Sequence, residues 1–358
     1  MLTLSCPTLA GTAVALPQTI PTPAAVAWLK EGSGYSETQT FYLFPATGGL
    51  CFVQLAYSEV SLSPLAQVTV YISTPSCSYF KSFNNSGSAL KVAAGDRAGS
   101  TCNDYSVTSA GDGKFVIALK NKEVVANLTV DLSAESTLKV GDAKVHFTPK
   151  GGAKPDGYLA TTYGTRGTAS GVIMANGAAV DVSGRATLVH QYQGISPHKI
   201  ATQWNFFTFA TPSISLTTVS GTTPATYNSE TFATLAADVT GLGSLVATEQ
   251  SLEFPTTAVD ATTGYAVPKT FKMHSVLNNG YTLEASGNLD FGKVNRIDVL
   301  GELPWLVRKA VQYFVSKPFV YQYVDGSAKV VVKDAEGKVV AEEQGVGMFE
   351  VSFTNPPN

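Results

Sequence analysis

Apolar and polar residues alternate with a period of two along most of the chain, the spacing of strands with one buried face. Val68, Val70 and Ile72 alternate with Thr69 and Tyr71, and Leu128, Val130 and Leu132 with Thr129 and Asp131. Leu138, Val140, Val145 and Phe147 continue the pattern, each run punctuated by Gly, Asp or Asn turns. Gly151-Gly152-Ala153-Lys154-Pro155-Asp156-Gly157 interrupts it and is the best linker candidate. Beyond Gly171 the strands lengthen and become more aromatic, as in Gln203-Trp204-Asn205-Phe206-Phe207-Thr208-Phe209. One segment switches to helical spacing, with Leu303, Leu306, Val307, Ala310, Val311 and Phe314. Pro304 suits its first turn, and Lys317-Pro318 stops it because a proline cannot continue the ladder. The pattern predicts an all-β protein of two β-barrels or sandwiches with one late helix. A leader or arm over residues 1–20 would precede an N-terminal β-domain over 21–154 and a C-terminal one over 155–358.

Composition narrows the partners. Of 358 residues only 14% are charged, against roughly 25% in an average globular protein, and the formal balance is −3. Such a surface offers no footprint for nucleic acid and no basic stretch for an anionic membrane. With 44% hydrophobic residues, disorder is excluded as well. The first charge is Lys30; before it, the apolar run Leu2–Ala15 ends in a small-residue site, Ala13-Val14-Ala15, although no positive residue opens it. We read this run as a short secretory signal. Nothing else approaches a membrane span, so no stable membrane insertion is expected. Asn84-Asn85-Ser86 and Asn127-Leu128-Thr129 are glycosylation acceptors at Asn84 and Asn127. Cys77 and Cys102 sit in polar, turn-rich stretches, whereas Cys51 sits in an apolar run and Cys6 in the leader. A Cys77–Cys102 disulfide is the preferred pairing of the possible ones. Together these features suggest the secretory pathway, with a vacuolar, vesicular or extracellular destination.

The familiar catalytic motifs are missing: no G-x-S-x-G, H-E-x-x-H, C-x-x-C, Walker A or G-x-G-x-x-G occurs. Of the histidines His146, His190, His198 and His274, neither His190 nor His198 has two carboxylates nearby in sequence, so no metal and no cofactor are expected. The informative stretch is Ser183–Phe206. Ala186, Leu188, His190 and Tyr192 share one strand face, and after a turn at Ser196-Pro197 a second strand carries Trp204 and Asn205. Polar groups set among aromatics can orient a small molecule inside an apolar wall. A buried His–Gln–Asn network that only ties two strands together is the alternative.

His190-x-x-Gln193-Gly194-x-x-Pro197-His198, followed by Trp204-Asn205-Phe206, resembles the signature of the fungal survival-factor family. Glu37–Tyr42, Gly49–Ser58, Arg296–Pro304 and Lys317–Tyr323 are similar to further blocks of that family, so the resemblance covers roughly residues 25 to 353. It implies two lipocalin-like (calycin-like) barrels. Relatives range from a lipid-handling survival factor through carotenoid hydratases to Diels–Alderase-type cyclases. With its leader, sequons and cysteines, the chain looks most like the hetero-Diels–Alderases that join tropolones to sesquiterpenes.

That likeness implies a cofactor-free pericyclase, acting by holding a tropolone-derived quinone methide and a terpene in a reactive arrangement. His190, Tyr192, His198 and Lys317 are then the candidate catalytic residues, with either histidine as acid–base group and Lys317 as a hydrogen-bond donor. Glu37, Gln39, Gln54, Tyr57, Trp204, Asn205, Trp305, Tyr321 and Gln322 are the candidate substrate contacts. Two other readings remain open. One is a lipid or terpenoid carrier without chemistry; the other is a terpenoid hydratase or dehydratase using Glu37, Asp298 or Glu302 as its acid.

Overall fold

The computed structural model describes residues 18–19, 24–32, 34–59, 63–132, 136–290, 294–301 and 318–354. The leader with Cys6 and the helical segment around Pro304 lie outside these residues. The chain forms two compact units. Gln18–Lys144 and Tyr158–Ser196 make the first, so the chain enters that unit twice; 145–157 and 197–354 belong to the second.

The first unit begins with β1 (Ser36–Pro45), β2 (Leu50–Ser58), β3 (Leu65–Ser73) and β4 (Ser78–Ser86). It continues through β5 (Leu90–Val92), β6 (Ser100–Cys102), β7 (Tyr105–Ser109), β8 (Lys114–Lys120) and β9 (Val124–Leu132). The long β10 (Gly157–Ala175) and β11 (Gly184–Gln193) complete the main path of a 14-stranded sheet, with three further strands paired off it. Antiparallel pairing orders them β4-β3-β2-β1-β11-β10-β9-β8-β7-β6-β5. Laid flat, these eleven strands would be about 48 Å wide at about 4.8 Å each. The two end strands, however, are joined by a three-residue turn, Gly87–Ala89, which spans at most about 14 Å from Ser86 to Leu90. The sheet must therefore curl until its ends meet.

Glycine permits the curl in β10. Its register slips between Gly164 and Gly167, and Gly171 adopts φ +120°, where an added Cβ would lie 2.1 Å from the Asn127 carbonyl oxygen. Inside, Phe41, Leu43, Val53, Val70, Ile72, Phe115, Ile117 and Leu128 form one core. Outward positions such as Val116 and Val125 are exposed, as the period of two requires.

The second unit contains β12 (Gln203–Ala210), β13 (Ile214–Thr222), β14 (Thr231–Val239), β15 (Gly243–Glu253) and β16 (Thr270–Leu277). It also has β17 (Thr282–Asn288), β18 (Asn295–Asp298), β19 (Phe319–Lys333) and β20 (Val339–Phe353). Its order is β17-β16-β15-β14-β13-β12-β20-β19-β18, and β17 also pairs with the far half of β19. That second pairing closes eight strands into a ring, with β18 as an outer flap on the near half of β19. Phe207, Phe271 and Phe349 fill the ring, with centroids 4.9 Å and 4.7 Å apart for the pairs sharing Phe271. The all-β, two-barrel, lipocalin-like expectation is met. Among the described residues no helix is long and apolar enough to cross a membrane.

The expected disulfide is absent. Cys51, Cys77 and Cys102 are all buried free thiols. Cys77 precedes β4, whereas Cys102 pairs with Leu90 beyond the other end of β4. The nine residues of that strand separate them by about 30 Å, far past the roughly 7 Å a disulfide tolerates. Turn-rich sequence placed each cysteine near a surface bend, but both thiols turn inward. Asn84 and Asn127 are exposed on β4 and β9.

Candidate functional site

One end of the first barrel is covered by the strap Ala24–Glu31. A 3-10 turn, Ala24–Val26, buries Ala25 and Val26, and Trp28 follows, wholly enclosed. Arg97 fixes this strap: its carbonyl accepts from Trp28 N at 2.9 Å. In return Nε donates to the Trp28 carbonyl at 2.8 Å and Nη2 to that of Leu29 at 3.2 Å. Lys30 turns the chain at φ +51°, and the amides of Leu29 and Lys30 then donate to Glu37 Oε1 and Oε2, each at 2.9 Å.

Glu37 and His190 are 0% and 1% exposed, and Nε2 of His190 stands 2.8 Å from Oε1 of Glu37. An ionised carboxylate only accepts, so Nε2 carries the proton and donates. Burial alone would raise the Glu37 carboxyl. The His190 hydrogen bond and charge, with the Leu29 and Lys30 amides, outweigh it and hold the group below its ordinary value. Trp28 meets the His190 ring edge-on at 6.1 Å, and Tyr192 lies tilted to it at 5.6 Å.

Beside this pair Trp28 Nε1, Tyr35 Oη, Gln39 Oε1 and His190 Nδ1 are buried without a hydrogen-bond partner among the described residues, and Ser100 Oγ, two residues from Ala98, is another. Gln39 Nε2 does have a partner, the Ala98 carbonyl at 3.2 Å. Burial, the Glu37 charge and the closeness of that carboxylate to the hydroxyl raise Tyr35, although the contact falls short of regular hydrogen-bond geometry. Each orphan of this kind costs about 1–3 kcal/mol, so such a group beside one buried pair asks for a role. Lys30 Nζ, in contrast, is committed to the Leu90 carbonyl at 3.3 Å and lies 4.9 Å over the Tyr57 ring.

The fold thus brings together Glu37, Gln39, Tyr57, His190 and Tyr192. Glu37 pairs across to Tyr57 and Tyr192, and Gln39 to His190. Gln54 faces the other side of the sheet, where it donates to Thr40 at 2.8 Å. Trp204, Asn205, Tyr321 and Gln322 belong to the second unit and already have structural partners. Trp204 packs edge-on against Phe232, and Asn205 accepts from Gln203 at 3.0 Å. Tyr321 donates to Asp260 at 2.8 Å, while Gln322, on the opposite face of β19, donates to Glu350 at 2.8 Å. Burial pushes the Glu350 carboxyl up against the opposing effects of Gln322 and Ser352. Lys317, Trp305 and Glu302 lie outside the described residues, as does the side chain of His198. Asp298 is exposed and accepts from the Gly301 amide at 2.9 Å.

Trp28, Tyr35 and Ser100 were not anticipated from sequence. Tyr35 was within reach of the alternation rule, since it shares a parity with Glu37, Gln39, Phe41 and Leu43. Trp28 and Ser100 come from segments whose only claim on the site is tertiary. Among the described residues no three His, Cys, Asp or Glu side chains gather as a metal site would need.

Among solved structures, CghA matches with a TM-score of 0.64 over 97% of both chains at 10% identity, a likeness of fold alone. The ceramide-binding protein svf-1 of Neurospora crassa is 27% identical, covering 94% of this chain and 90% of its own length. The ceramide-binding protein svf1 of Schizosaccharomyces pombe is 28% identical, covering 91% and 87%. These names overturn the expectation of a Diels–Alderase-type enzyme acting on tropolone and terpene partners: relatives aligned along nine-tenths of the chain are named for binding a lipid. The pattern of the Svf1 family matches residues 16–355, and the chain belongs to that family.

Proposed function

We propose that this protein binds a ceramide-class lipid and releases it chemically unchanged. The observation that carries the reading is the alignment of ceramide-binding relatives along almost the whole chain. The physical chemistry agrees with it. A ceramide is uncharged and largely hydrocarbon, so its host needs apolar surface and a few polar groups, without a cation or a catalytic nucleophile. The first barrel has an apolar interior interrupted by one polar end, where a compensated carboxylate stands among unpartnered donors and acceptors.

The test is equilibrium binding of the purified full chain to a labelled ceramide, with recovery and mass analysis of the lipid afterwards. Saturable binding with intact lipid is expected. A humulene-type terpene, the competing hydrophobic ligand class, should displace it poorly. Absence of ceramide binding, or recovery of a chemically altered lipid, would overturn the proposal.

A further inference from the structure

The orphaned atoms beneath the strap have a chemistry of their own. Trp28 Nε1 can only donate, and Gln39 Oε1 can only accept. His190 Nδ1 is a further unpartnered ring nitrogen, and Tyr35 and Ser100 offer hydroxyls able either to donate or to accept. They are joined by short links of structure. Gln39 pairs with His190 across β1 and β11, Trp28 touches the His190 ring, and Tyr35 and Glu37 stand two residues apart on one face. Ser100 lies two residues from Ala98, whose carbonyl holds Gln39.

The charges here are already used. Glu37 is answered by His190 and two amides, and Lys30 and Arg97 are spent on backbone carbonyls. Among the described residues, an anionic head would meet a carboxylate whose neighbouring cations already hold backbone carbonyls, and a cationic head would meet a carboxylate already hydrogen-bonded by His190 and two amides. A neutral head that both donates and accepts is the remaining match.

Resting on the lipid-binding reading above, we infer that the polar end of the first barrel, formed by Trp28, Tyr35, Gln39, Ser100 and His190, recognises the uncharged amide-and-hydroxyl head of the lipid and rejects its phosphorylated form. Specificity would come from this cluster, since hydrocarbon tails offer little for a protein to distinguish. A site whose buried donors and acceptors are left unpaired by the wrong head discriminates more sharply than an apolar wall.

The experiment compares four lipids with matched tails on the full chain: ceramide, 1-deoxyceramide, ceramide 1-phosphate and diacylglycerol. Ceramide should bind about three- to tenfold more tightly than 1-deoxyceramide, the loss expected for one hydrogen bond, and ceramide 1-phosphate should bind more weakly still. Tyr35→Phe and Gln39→Met should shrink the ceramide/1-deoxyceramide ratio, whereas Val259→Ser, on the exposed surface of the second unit, should not. Tyr35→Phe also separates recognition from folding: an unpartnered hydroxyl can be removed with no loss of thermal stability, so reduced selectivity in an undiminished fold is the expected signature. Equal affinity for ceramide and 1-deoxyceramide, or an unchanged ratio in both variants, would overturn the inference while leaving lipid binding intact. Failure of the wild-type chain to bind any of the four would instead remove the reading on which it rests.

Discussion

Glu37 accepts hydrogen bonds at full burial from the Leu29 and Lys30 amides and from His190, an arrangement that stabilises only while every partner is present. His190→Ala would leave the carboxylate without its counter-group, and chemical denaturation should show a loss of about 3–5 kcal/mol. Glu37→Gln keeps acceptors for the amides and should cost less. The second unit has its own buried carboxylate. Arg296 Nη1 reaches both oxygens of Asp260 at 3.1 Å and 3.0 Å, with Tyr321 and the Thr262 amide as further donors. Burial opposes ionisation there, but the Thr262, Tyr321 and Arg296 interactions together hold Asp260 down at about 2. Both carboxyls are depressed in the folded state, so each contributes stability above its unfolded value that is lost as pH falls through its folded one. For Asp260 that window runs from 3.8 down to about 2. For Glu37 it opens below 4.5. Near-UV circular dichroism should therefore show acid unfolding entering this range, and Arg296→Met should move the second unit's transition to higher pH. Of these groups, His190 was legible as a polar residue in an aromatic-rich strand, and Glu37 only through the block that resembles the family. Asp260 was not, since it lies in unremarked loop 36 residues from Arg296, which stood out only as the start of a family-like block.

The strap Ala24–Glu31 makes no strand pairing of its own; side-chain and amide contacts hold it down. Arg97, in the left-handed region at φ +57°, gives two hydrogen bonds to it and receives one. Arg97→Ala should thus free the strap while sparing the sheet. Hydrogen exchange would report faster exchange at Leu29 and Lys30 with little change in β1 and β11. Unchanged exchange at both amides would show that Glu37 alone retains the strap. Strands were well read from alternation, because a half-buried antiparallel sheet imposes a period of two on every edge-to-edge run. The strap was beyond that method. Its fixing partners are Arg97, some 69 residues away for the shortest bond, and Glu37, and no local periodicity encodes a contact at such a distance. Only the parity of Tyr35, Glu37 and Gln39, polar residues in register with Phe41 and Leu43, carries a local signal of a polar patch in an apolar interior, and it went unread.

Each barrel closes by a different device. The second ring is sealed by the β17–β19 ladder, while the first curls because a three-residue turn joins its end strands. The cysteines illustrate how such closure defeats sequence reasoning. Similar turn-rich settings suggested that Cys77 and Cys102 meet, but the length of β4 keeps them apart. A reducing agent should leave the melting temperature unchanged; a marked drop would mean that a disulfide contributes after all. Burial also raises the Cys51 thiol to about 12 and leaves it a poor nucleophile. By itself the sequence determined the fold class, the strand grammar and the family, all of which depend on local spacing or on motifs repeated along the whole chain. It also placed Glu37, Gln39, Tyr57, His190 and Tyr192 among the candidates. Only the tertiary structure decided that these side chains share one barrel end, that Trp204, Asn205, Tyr321 and Gln322 are tied into the second unit, and that the polar end holds unpartnered atoms. Hydrogen-bond satisfaction is a property of which distant strands face one another, and no period along the chain records it.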